Sequence, residues 1–166
     1  LLMVGLRAIH IVGTAFWVGG TFLVAGYHEF VLDPGEPKRT LRRLAAYDEM
    51  STTIGLGGIV GVLAGLVLYW FVSDGLSMAW ITSRYGLTIT VGALSGLVAI
   101  GIAIPLVGFT NNRSDELSES VTDADELTAE QAAKVRQLRT RLRTGERLAA
   151  VFMAVAVLAM AVAQYL

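Results

Sequence analysis

Two imidazoles and no thiol bound the chemistry open to this chain. His10 and His28 are the only histidines in 166 residues, and there is no cysteine. Disulfides, thiolate nucleophiles, iron–sulfur clusters and thioether-attached haem are thereby removed. Two histidines are also too few for a multi-histidine zinc or di-iron cage. His10 lies inside an apolar run, where it could ligate a haem iron or a copper ion, or relay a proton. A neutral imidazole bonded to a carbonyl or to Thr14 accounts for the same position equally well. His28 closes that apolar run, where a histidine is ordinarily solvated. The two lie 18 residues apart, about 27 Å along one helix, so within one chain they cannot flank a single iron.

A second donor beside His10 must come from elsewhere. Met160 is near its depth in a simple up-and-down arrangement, as are Tyr69, Thr88 and Thr90; Met153 is intermediate and Met50 lies toward the other end. Each methionine also serves as core filler. Copper transport favours cysteine or clustered Met and His, and Met153 with Met160 on one helical face is the nearest approach to that. Arg7 and Arg84 belong to one rim, where two cations suit haem propionates or another anion. Alternatively Arg7 snorkels and pairs with Asp74.

The elements that position these groups follow from composition. The chain is 54% hydrophobic and only 16% charged, with mean hydropathy +0.61, against roughly 25% charged for a soluble domain. Ala8 to Tyr27, Ile54 to Phe71, Tyr85 to Thr110 and Leu148 to Leu166 contain no Asp, Glu, Lys or Arg. Each approaches the roughly 20 residues that cross a bilayer core. The expected fold is all-α: an integral membrane antiparallel four-helix bundle forming a single transmembrane domain over 1–166. Its helices are expected at about 5–27, 51–71, 85–109 and 146–166, with a charged loop and helix extension over 111–147. The first run lacks a basic n-region and a small-residue cleavage site, so it reads as a resident helix.

Of thirteen Lys and Arg, all but Arg7 and Arg84 lie in 28–50 and 111–147. This places both larger loops in the cytoplasm and both termini outside the plasma membrane. The net charge of −1 gives no pull toward nucleic acid. Arg7, Thr14, Thr21 and His28 fall at heptad spacing, and His10 and Trp17 join the same stripe. Such a polar stripe is expected to face the bundle interior.

Gly57, Gly61 and Gly65, and likewise Gly92 and Gly96, predict close helix packing, either within one chain or in a homodimer. Pro105 predicts a kink. Asp115, Glu116, Glu119, Asp123, Asp125 and Glu126 read as a solvated, mobile run. Beyond them, Thr128 with Gln131 reads as a capping box starting the last helix near Ala129. Its basic first turns either lie on anionic headgroups or extend into solvent.

The stretch Arg7-Ala8-Ile9-His10-Ile11 with Trp17-Val18-Gly19-Gly20-Thr21-Phe22 resembles the first helix of HemJ-type protoporphyrinogen oxidases and of the related CopD-type copper-resistance membrane proteins. Arg42-Arg43, Met50 and the glycine-rich second helix are similar to the segment that follows there, and Trp80 with Arg84 to its Trp-x-x-x-Lys. The likeness covers roughly the first 100 residues. It implies a small helical membrane protein holding haem b, with copper as the alternative cargo, His10 as the essential histidine and Met50 as a further important residue. It also implies an oxidoreductase with an electron-transfer partner. Arginine replaces both family lysines, so a role needing a deprotonatable amine does not carry over. Gly145-Glu146-Arg147-Leu148 stands where the family has Asn-Glu-x-Pro. The expectations are therefore a haem-binding redox membrane protein, a copper or small-solute permease-like protein, or a cofactor-free accessory subunit.

Overall fold

Apolar runs free of interior breakers become long helices. The structure, a computed structural model, describes residues 1–31 (side chains to 28), 35–121 and 126–166, and every regular element among them is helical. In chain order these are α1 (Leu2–Val31), α2 (Pro37–Ala46), α3 (Asp48–Val72), the single turn α4 (Met78–Ile81), α5 (Arg84–Ala103), a π turn (Ile104–Gly108), α6 (Phe109–Glu119) and α7 (Ala129–Ala163). Four helical stretches, Leu2–His28, Asp48–Val72, Arg84–Glu119 and Ala129–Ala163, are long and apolar enough to cross a membrane. Their outward faces are apolar: Leu23, Leu63, Leu94 and Leu158 are all more than half exposed.

Pro105 does not end its helix. Proline has no N–H and its ring clashes with the carbonyl four residues back. Here the chain widens into the π turn and continues as α6, with the Arg141 guanidinium donating to the Pro105 carbonyl at 3.2 Å. This corrects the expected mobile acidic run, because Asp115, Glu116 and Glu119 belong to α6. The helix persists because it has an inner face: Thr110, Asn111, Ser114 and Leu117 are buried, and Leu117 packs with Leu41, Val135 and Leu138 of α2 and α7. Asp123 and Asp125 lie outside the described residues. The capping box at Thr128 and Gln131 is present, with α7 starting at Ala129.

The spans associate through small residues. A Cβ added at Gly13 would lie 2.9 Å from the Gly57 carbonyl oxygen and 3.0 Å from the Gly61 Cα, so α1 and α3 touch backbone to backbone. His10 meets Gly65, Trp17 meets Gly58 and Gly20 meets Ile54; partners descend along α3 as they ascend along α1. In the same way Gly92 faces Ala156 and Met160, and Leu106 faces Gly145, between the α5–α6 helix and α7. The glycines at 57, 61, 65 and 92 thus pack within one chain, whereas a Cβ at Gly96 would meet nothing within 4 Å. The two helix pairs join around Trp17, Val24, Tyr47, Ile54, Ala99, Ala149 and Met153.

Candidate functional site

On α7 the buried positions Val135, Leu138, Leu142, Ala149, Met153 and Ala156 recur every three or four residues, and Glu146 falls on the same face. A carboxylate on an apolar stripe needs a partner. Glu146 is 3% exposed and has one in His28, whose Nδ1 lies 2.8 Å from Oε1 and 3.1 Å from Oε2. His28 is itself only 1% exposed. The expectation of a solvated histidine is therefore corrected: α1 and α7 bring the imidazole against the carboxylate, and the Nδ1–H donates to it.

Tyr47, in the tight junction between α2 and α3, sets its ring edge-on to His28 with centroids 4.6 Å apart. Burial, followed by the Glu146 carboxylate, pushes the Tyr47 phenol above its ordinary value, while a hydrogen bond with Ser51 opposes the rise. The phenol stays neutral at physiological pH. From Ser51 the polar chain continues to α6: Asn111 Nδ2 donates to Ser51 Oγ at 2.7 Å. The other end of that amide, Asn111 Oδ1, is buried without a hydrogen-bond partner among the described residues, as is the neighbouring Thr110 Oγ1.

Tyr47, Ser51, Asn111 and Glu146 border a cavity of about 250 Å³ between α1, α3, α5, the π turn, α6 and α7, lined by Trp17 and Ala103 among others. Asp48, which lies close to Asp115, lines it as well. The hollow is thus lined by a buried carboxylate backed by His28, a neutral phenol and an unpaired amide oxygen. The π turn in its wall is a form that recurs at functional sites.

The residues singled out by sequence do not gather at one point. His10 Nδ1 lies 2.8 Å from the Gly61 carbonyl oxygen, and its ring is laid against Gly65. Trp17 is buried on Gly58 and borders the cavity. Met160 is lodged against Gly92 in the α5/α7 seam, while Met50 is 47% exposed at the start of α3. Arg7 and Arg84 are both exposed. Tyr69 bonds Thr90 at 2.6 Å and packs edge-on to Trp80. No group of three or more His, Asp or Glu side chains able to hold a metal ion occurs among the described residues.

Glu146 carried a legible signal that the sequence reading passed over, since it extends the stripe of Val135, Leu138 and Leu142. Asn111 and Tyr47 carried none, because their roles depend on the helix passing through Pro105 and on a junction of a single residue. Comparison with known proteins finds no matching family model, no similar curated protein and no similar solved structure.

Proposed function

We propose that the chain is an integral membrane protein, an antiparallel four-helix bundle in the plasma membrane with its Lys/Arg-rich loops in the cytoplasm. Within it, the hollow beside Glu146 and His28 receives a small solute in a permease-like role. The observation that supports this reading is a carboxylate 3% exposed, hydrogen-bonded to a histidine and bordering a cavity. Ionisable groups within membrane spans are costly, and they mark substrate paths and proton relays. As the chain has no cysteine, an engineered thiol is a unique reporter. Ala103→Cys, on the cavity wall, is expected to react with a charged water-borne thiol reagent in liposomes, faster than a cysteine replacing lipid-facing Leu94. An inert A103C refutes the solute path.

A second reading keeps His10 as an axial ligand of haem b, in an oxidoreductase with an electron-transfer partner. Its support is the Nδ1 bond to the Gly61 carbonyl, which orients the ring and leaves Nε2 as the free donor, the usual arrangement of a metal-bound histidine. As a set the other residues do not fit: Met160 and Trp17 fill separate helix seams, and Met50 lies at the far end of α3. The chain offers one ligand rather than an assembled haem pocket. Absorption spectra of detergent-purified protein, supplied with haemin and then reduced with dithionite, decide it. A Soret band that shifts on reduction and disappears in His10→Ala supports haem; a colourless protein that refuses haemin ends that reading, leaving copper as the metal to test by Cu(I) titration.

A further inference from the structure

The charged groups of the cavity share one sign. Its lining includes the Glu146 and Asp48 side chains, Ser51 and Asn111, and contains no Lys or Arg. Asn111 is 1% exposed; its Nδ2 is held by Ser51, and that bond leaves Oδ1 as an unpartnered acceptor. A buried amide oxygen without a partner is costly, a cost that a bound donor or cation relieves. At about 250 Å³ the hollow lies below the ~300 Å³ at which pockets for drug-sized ligands begin, so the occupant is compact.

Charge balance supplies the second half. Glu146, buried, requires one positive charge beside it, and a proton shared with His28 provides it at 2.8 Å. A cation arriving from the cavity side would provide it instead. Two positive charges on one carboxylate in a low-dielectric setting repel strongly, so each excludes the other. Among the described residues, the hydrogen bonds and ion pair found for Glu146 are with His28. At the α2/α3 junction Tyr47 is neutral and Asp48 is acidic; on α6 Asp115 lies close to Asp48, with Glu119 beyond it. On α7 Arg141 is bonded to the Pro105 carbonyl, and Arg143 and Arg147 have interactions of their own.

We propose that the cavity binds a compact monovalent cation, of alkali or primary-ammonium type, at Glu146 and Asn111 Oδ1 in exchange for the proton carried by His28. The cation enters, the N–H bond of His28 breaks, and the proton leaves to solvent, so charge is conserved. This deepens the solute-path reading and rests on it.

The test uses the full chain in detergent, weakly buffered at near-neutral pH, with a pH-reporting dye. Sodium, potassium and methylammonium chlorides are compared at equal ionic strength with bulky N-methyl-D-glucamine chloride. A compact cation is expected to release a saturable amount of acid, at most a single proton per chain, and N-methyl-D-glucamine none. Glu146→Gln loses the release. His28→Gln keeps cation binding, read from the fluorescence of cavity-lining Trp17, but releases nothing. Asn111→Leu, confirmed as folded by circular dichroism, moves the midpoint about tenfold or more upward. Equal release by N-methyl-D-glucamine, equal release by E146Q, or no release in the wild type overturns the exchange. If A103C still reacts with aqueous reagent when no cation displaces a proton, the exchange fails while the solute path stands. If A103C is inert, both fall.

Discussion

Substituting His28 by alanine leaves Glu146 buried with its carboxylate uncompensated, and the structure sets the scale of the effect. The carboxylate is 3% exposed, and the hydrogen bonds found for its oxygens are the two at 2.8 and 3.1 Å from His28 Nδ1. Breaking a buried pair from one side costs about 3–5 kcal/mol, a large share of a typical total of about 5–15 kcal/mol. The charge can escape by protonation, which fixes the sign of the pH dependence. Protonating the carboxylate removes the uncompensated charge, so the deficit relative to wild type is expected to shrink on acidification. Replacing both partners by leucine removes the buried charge altogether and is expected to restore most of the loss. The assay is unfolding in mixed micelles of increasing dodecyl sulfate fraction, followed by circular dichroism, for wild type, H28A, E146L and the double variant between pH 5 and 8. A single variant within about 0.5 kcal/mol of wild type at every pH, or a double variant no better than H28A, refutes the buried pair.

Tyr47 gives a prediction at the opposite end of the scale. Its phenol is raised from 10.0 by burial and then by Glu146, so above pH 10 the unfolded chain loses a proton that the folded chain keeps. Stability is expected to fall by up to about 1.4 kcal/mol per pH unit there, and Tyr47→Phe to remove that contribution; an unchanged alkaline slope in Y47F refutes it. In the α1/α3 seam, Gly61→Ala sets a Cβ 2.8 Å from the Thr14 backbone nitrogen and is expected to cost about 1–3 kcal/mol in the same unfolding assay. Gly96→Ala meets nothing within 4 Å and is expected to be neutral or to stabilise by about 0.5–1 kcal/mol; the reverse order would mean that the glycine faces pack against a second copy.

The long apolar helices and the start of α7 were readable because hydropathy and capping are local properties. Glycine spacing named most of the right contacts on α3, but it could not name Gly13, the partner on α1. Proline marked the place on the third span where the α-helical ladder changes, but not the form of the change: a π turn absorbs the missing N–H there, with a contact from Arg141, far along the sequence. His28 was misjudged for a related reason. Its position at the end of an apolar run describes distance along one helix, whereas its burial comes from Glu146, 118 residues away.

The helix that carries Glu146 is also the longest uninterrupted α-helix among the described residues. At about 1.5 Å per residue, the 35 residues of α7 make a rod of about 52 Å, against a bilayer hydrocarbon core of about 30 Å. Its first turns form, with α2 and α6, the small apolar cap of Leu41, Leu117, Val135 and Leu138; Glu146 sits near the rod's midpoint. No proline interrupts the helix between the two. The cap and the carboxylate therefore ride on one lever: a partner or headgroup that tilts the cap swings Glu146 against His28 without any hinge between. Force applied at the cap would reach the buried pair as a rigid displacement.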